Sequence, residues 1–191
     1  MRLWFLCLLV LLGCASPTGL RAAKALAHLD DPAQLLPADP AGVKALEARL
    51  AEFERTSGIR ILVQFHAKSP SAEEDKVPGA YMSALSGKLG TLQRGVLVVY
   101  FADDPDWRIW IGDELTSTFA GKSGTVKELT DSRAIHDVKE ILLASAHAKA
   151  DSAFAVLQKA PPTNQAPSAA LHLRLETDEL LNVLMSSFAS K

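Results

Sequence analysis

The chain has 191 residues, 20 lysines and arginines against 22 aspartates and glutamates, a formal charge of −2 and 48% hydrophobic residues. With this mildly acidic balance and no basic block, nucleic acid is excluded as the expected partner, because phosphate recognition needs clustered Lys and Arg. Its two cysteines, Cys7 and Cys14, both lie near the start, so no disulfide is available to the body of the chain and a hydrophobic core must hold it.

The first residues read as an export leader. Met1-Arg2 is a short positive start, Leu3 to Leu12 is uninterrupted apolar or aromatic, and the small Gly13 precedes Cys14. The apolar run is too short for a bilayer span, which takes about 20 residues. Leu11-Leu12-Gly13-Cys14 resembles the lipobox of bacterial lipoproteins. That resemblance implies cleavage after Gly13, diacylglycerol on the Cys14 thiol, and further acylation such as palmitate at the new amino terminus. Two or three acyl chains make a durable anchor where one does not. Ala15 after the cysteine fits outer-membrane sorting, hence a place on the periplasmic face if the cell has two membranes. The alternative is an ordinary signal peptide cut later, near Ala23 to Ala27, with Cys14 discarded.

Residues 14–38, rich in Ala and Pro, read as a tether. A folded domain is then expected over 39–160. Asp39-Pro40 is a cap followed by Pro at a first helical position, and Val43, Leu46, Leu50 and Phe53 recur at helical spacing up to Gly58. Ile59 to His66 reads as a strand, with Ile59, Ile61, Val63 and Phe65 on one face and Arg60, Leu62, Gln64 and His66 on the other. A weaker helix follows around Tyr81, Met82 and Leu85. Gly95 to Phe101 is apolar on both faces, which predicts a central strand covered by helices. Asp103-Asp104-Pro105-Asp106 is a turn, and Trp107 to Ile111 is the returning strand of a hairpin. Trp107 and Trp110, three apart on that strand, are expected on opposite faces of the sheet. Beyond Gly112, a helical face of Ile135, Val138, Ile141, Leu142 and Ser145 is expected. Residues 161–170 read as a Pro-rich linker. In 171–191, Leu171, Leu173 and Leu175 alternate like a strand, and Thr177 would cap a short helix packed on the domain. The order of elements predicts an α/β fold, a three-layer sandwich with a small mixed β-sheet flanked by helices.

This order resembles the TPM domain over roughly residues 30–158. The resemblance rests on Asp30-Asp31, Leu36-Pro37, the stretch Glu54-Arg55-Thr56-Ser57-Gly58-Ile59, and above all Gly95-Val96-Leu97-Val98-Val99, Asp103-Asp104 and Arg108-Ile109-Trp110-Ile111-Gly112. Where the family continues with a second glycine, this chain has Asp113-Glu114 and keeps only Leu115. The family holds membrane-anchored bacterial proteins and thylakoid-lumen proteins associated with acid phosphatase activity and calcium. What the resemblance implies is an accessory, protein-binding module of the cell envelope with an envelope protein as partner, and Ca²⁺ as a cofactor. The alternative is a metal-dependent phosphatase-type hydrolase.

The acidic turn has two readings. Asp103, Asp104 and Asp106 could hold a hard cation such as Ca²⁺ with the help of carbonyls and waters, or they are a solvated Asp-Pro-Asp turn. Asp113 is expected ~15 Å from Asp103 along the strand, too far to share one ion. No catalytic residue is assigned. His28, His66, His136, His147 and His172 show no metal-ligand spacing. Gly121-Lys122-Ser123 lacks the earlier glycine of a phosphate loop and reads as a flexible loop.

Overall fold

The computed structural model describes residues 27–159 and 168–189. The leader, Cys14 and linker residues 160–167 lie outside the described residues. The elements are β1 (Leu29–Asp30), α1 (Pro40–Ser57), β2 (Arg60–His66), α2 (Ala80–Leu89), β3 (Gly95–Phe101), β4 (Asp106–Ile111), a 3-10 turn (Asp113–Leu115), α3 (Thr116–Ala120), α4 (Val126–Asp131), α5 (Ala134–Lys159) and α6 (Ala169–Ala189).

The four strands form one mixed sheet in the order β1-β2-β3-β4, with β1, β2 and β3 parallel and β4 antiparallel to β3. Helices cover both faces, so the architecture is a three-layer α/β sandwich. Alternation along the strands decides which side chain goes where. Ile61, Val63, Phe65, Val96, Val98, Trp107, Ile109 and Ile111 bury against Leu46 and Leu50 of α1, Leu142 and Ala146 of α5, and Leu180, Leu181 and Leu184 of α6. Leu62, Leu97, Val99 and Phe101 point the other way and pack on Met82, with Tyr81, Leu85, Leu89 and Trp110 around them. Trp107 and Trp110 are thus on opposite faces, as their spacing predicts. The sequence of β3, apolar throughout, matches its central place between two helical layers.

Local chemistry fixes the ends of α1. The Asp39 side chain accepts from the Gly42 N–H, Pro40 opens the first turn, and Gly58 closes the helix at φ 68°, a left-handed conformation that glycine adopts without a Cβ clash.

Three sequence expectations are corrected. The stretch 27–38 of the expected tether is not free of structure: β1 pairs with β2, and Leu29 and Leu36 enter the core. Glu47 of α1 fastens this edge by accepting from the backbone N–H groups of His28 (3.1 Å) and Leu29 (2.6 Å). Second, Leu171, Leu173 and Leu175 are helical, not a strand, and the helix already begins at Ala169, inside the expected linker. The run from Ser168 to Glu176 contains no β-branched residue, and Leu, Ala, Arg and Glu all favour helix. Thr177 is no cap but sits mid-helix, its hydroxyl donating to the Leu173 carbonyl at 2.7 Å. Third, Ile141 is 70% exposed, while Leu142, Ala146 and Ala150 form the buried stripe of α5. Small alanines allow α6 to approach closely there, and periodicity scored on large residues passes over them.

Candidate functional site: an aromatic, histidine-lined groove

The sequence singles out the acidic turn Asp103-Asp104-Pro105-Asp106. It joins β3 to β4. Asp103 accepts from the Ser69 backbone N–H (2.7 Å) and the Ser69 hydroxyl (2.8 Å). Those hydrogen bonds, led by the Ser69 side chain, hold its carboxyl below the usual range. Asp106 lies 3.7 Å from Arg108, which makes a closer pair with Asp75 at 2.8 Å and stacks over the Phe101 ring. Asp104 is exposed. Among the described residues no group of three His, Cys, Asp or Glu side chains is arranged to hold a metal ion. Asp113 is at the opposite end of β4, as the register requires: Asp106 pairs with Phe101 and Ile111 with Val96. In this structure the turn ties the hairpin to the loop after β2.

A cavity of about 570 Å³ opens beside that turn, bounded by Tyr100 and Trp107 of the hairpin, Pro105 of the turn, His147 and Phe154 of α5, and His172 and Glu176 of α6. It lies at the C-terminal end of a central parallel strand, where open α/β sheets commonly receive ligands. The two helices that build it run antiparallel, since His147 meets Glu176 while Asp151 meets His172.

Glu176 is the hub. Its side chain is 13% exposed. One carboxylate oxygen lies 2.9 Å from His147 Nδ1 and 3.5 Å from His172 Nδ1; the other accepts from Trp107 Nε1 at 3.4 Å. His172 Nε2 is 2.8 Å from Asp151. Two carboxylates, two imidazoles and an indole N–H therefore form one connected network. Rings wall it: Tyr100 and Trp107 have centroids 5.0 Å apart, and Phe154 meets His172 edge-on at 4.9 Å. Burial, and then the nearby Glu176 charge, raises the Tyr100 phenol above its ordinary value. Such an arrangement can stack a planar group on rings while a carboxylate meets a positive charge.

No family model matches the chain. No curated protein matches it either. Among solved structures, the chain is similar to the solution NMR structure of the N-terminal domain of a protein from P. gingivalis, at 16% identity, with 87% of each chain covered and a TM-score of 0.49. The functional reading therefore rests on the chain's own residues.

Sequence reasoning missed this cluster because its parts are distributed over β3, β4, α5 and α6. One signal was present. His172 and Glu176 are four apart and share a face once the segment is helical, but reading it as a strand hid that pairing. His66, by contrast, is where the sequence puts it, at the end of β2. Its Nε2 is 3.1 Å from Gln64 and its Nδ1 3.4 Å from the Tyr81 hydroxyl, and burial lowers its pKa.

A second cavity, of about 320 Å³, lies beside the edge strand β4. Trp110, Asp113, Val126, Thr130, His136 and Lys139 are among its lining residues. Lys139 is half-buried, and desolvation pushes its amine down to about 8 from the ordinary 10.5. Between about pH 8 and 10.5 the unfolded chain keeps this proton more than the native one does, so this lysine makes stability rise with pH across that window. Denaturant midpoints measured at both ends of the window should therefore rise less in Lys139→Met than in the parent. Equal rises would mean that the amine is fully hydrated in the native protein.

Proposed function

We propose that the chain is a lipid-anchored accessory module of the bacterial envelope, held through Cys14, whose TPM-like domain binds a partner protein in the aromatic, histidine-lined groove. The occupant is an exposed segment of that partner carrying an arginine or lysine. One juxtaposition carries this reading. Glu176 places a carboxylate among the rings of Tyr100, Trp107 and Phe154, around a cavity large enough for a side chain and its neighbours, and Asp151 adds a second, exposed carboxylate behind His172. A guanidinium gains from both an aromatic face and a carboxylate. The order of strands and helices agrees with the pieces on which the TPM resemblance rests, and it supports that part of the reading.

The test uses a defined probe. The purified protein is titrated with N-acetyl-arginine amide and with N-acetyl-citrulline amide, a neutral analogue of nearly the same shape, and tryptophan fluorescence follows binding. The arginine compound is expected to bind roughly five- to ten-fold more tightly, the size of a partly desolvated cation–π contact. Glu176→Gln is expected to shrink that preference. Equal binding of the two compounds, or none, contradicts the proposal. The same preparation incubated with a generic phosphomonoester and divalent ions is expected to release no phosphate. Release lost in Asp103→Ala and Asp104→Ala would favour a hydrolase instead.

A further inference from the structure

Two imidazoles stand beside the carboxylate that the groove offers to a cation. His147 of α5 has its Nδ1 2.9 Å from a Glu176 oxygen, and His172 of α6 has its Nδ1 3.5 Å from the same oxygen. His172 Nε2 is in turn 2.8 Å from Asp151. The two rings are 48% and 28% exposed against 13% for Glu176, so protons reach them from solvent while the carboxylate between them is partly shielded. The hairpin adds no charge to this wall. Tyr100 is a phenol whose pKa is raised by burial and then by Glu176, so it stays neutral from acid to mildly alkaline pH, and Trp107 gives only an indole N–H. Among the described residues lining the cavity, the titratable groups are Glu176, His147, His172 and Tyr100, with Asp151 behind His172.

A neutral imidazole has a single N–H to give. His147 uses it at Nδ1, donating to Glu176. His172 uses it at the shorter of its two contacts, Nε2 to Asp151, which leaves Nδ1 as a lone pair turned toward the Glu176 oxygen. In that state the two carboxylates keep both their negative charges, and Glu176 attracts a guanidinium. Protonation gives each ring a second N–H and a positive charge. His172 Nδ1 then donates to Glu176, His147 beside it is a cation, and the charges of the two rings and the two carboxylates cancel. Imidazole is the side chain that changes charge between about pH 5 and 8. We propose that this pair of histidines gates the groove by pH: it admits an arginine or lysine of the partner at mildly alkaline pH and rejects it in acid, when His147 and His172 hold Glu176 as imidazolium ions. This regulation presupposes that the groove is the cation-binding surface. Cation binding and ring protonation compete, so each weakens the other by the same factor.

The purified protein is titrated with N-acetyl-arginine amide and N-acetyl-citrulline amide at about pH 8 and about pH 5.5, either side of the imidazole range. The ratio of the two affinities isolates the charge. It is expected to be roughly five- to ten-fold at the higher pH and to fall below about two-fold at the lower. With His147→Gln and His172→Gln combined, the ratio should be the same at both pH values, whatever its size. His136→Gln, half-exposed elsewhere on α5 and 3.9 Å from Glu140, should keep the parent's pH dependence. A second readout needs no substitution. In heteronuclear NMR the His147 and His172 rings should take up their protons at lower pH with the arginine compound present than without it, while the His136 ring should not change. A parent ratio that is equal at both pH values, a double variant that keeps the parent's pH dependence, or rings whose protonation ignores the arginine compound would each overturn the gate and leave the cation-binding groove standing. Absence of an arginine preference at about pH 8 would overturn the groove itself, and the gate with it.

Discussion

Leu181→Ala is expected to destabilise the protein by about 3–5 kcal/mol, the range for deleting a fully enclosed leucine side chain whose surroundings cannot collapse. Leu181 is 0% exposed in the middle of α6, and its neighbours Leu180 and Leu184 are 1% and 0% exposed. All three sit in the same cluster as Phe65 and Val98 of the central strands. Polar contacts fix the helix in register. Arg49 of α1 reaches Asp178 at 3.1 Å and Asn182 at 3.0 Å, while Arg174 holds Asp178 at 2.9 Å and donates to the Gly42 carbonyl at 3.0 Å. The last helix is therefore part of the domain's layer, not an appendage joined by a linker. Urea unfolding followed by circular dichroism measures the effect. A change within about 0.5 kcal/mol, the ordinary range for surface substitutions, would mean that α6 is not docked on the sheet.

Gly112→Ala is the second large effect, about 3 kcal/mol, and its cause is backbone contact and not conformational freedom. Gly112 has φ −60° and ψ 147°, an extended conformation open to any residue. A Cβ there would lie 2.5 Å from the Gln93 carbonyl oxygen and 2.9 Å from the Gly95 nitrogen. Those are main-chain atoms held by ladder bonds: Gly112 N–H to the Gly95 carbonyl at 2.8 Å, and Glu114 N–H to the Gln93 carbonyl at 3.0 Å. Relief requires β4 to move away from the loop before β3, at the high end of overpacking costs. Gly87→Ala supplies the contrast. It lies within α2, where the nearest atom to a new Cβ is 3.9 Å away, so helix propensity should make it neutral or stabilising by up to about 1 kcal/mol. Similar melting temperatures for the two variants would refute the close-approach argument. Glu114, two residues on, is in a 3-10 turn with its N–H bonded to the Gln93 carbonyl, a conformation that does not call for glycine.

What could be read from the residues was whatever repeats with a short period or is fixed by a local stop. The two faces of β2, the wholly apolar β3, the hairpin at Asp103–Asp106 and the limits of α1 all follow from neighbours in the chain. Long-range partners were not legible. The tether residues enter the fold because Glu47 on α1 supplies acceptors to an edge strand only two residues long, which has no periodicity to detect. In α6, alternating leucines over a short stretch fit either period, and only the core that receives Leu180, Leu181 and Leu184 decides between them. The groove is the extreme case. Tyr100, Trp107, His147, Phe154, His172 and Glu176 become neighbours only when α5 and α6 lie antiparallel against the hairpin. The acidic turn, by contrast, is plain in the sequence, but the partners that its residues take there, Ser69 for Asp103 and Arg108 for Asp106, are not.

The central claim, that the working surface is this groove, is tested most directly by mapping where the arginine probe binds. Heteronuclear NMR of the labelled protein should move the Trp107 indole N–H and the His147 and His172 ring signals on titration, and leave those of Trp110 and His136 in place. Shifts confined to the Lys139 cavity or the acidic turn, or a spectrum that does not change, would contradict it.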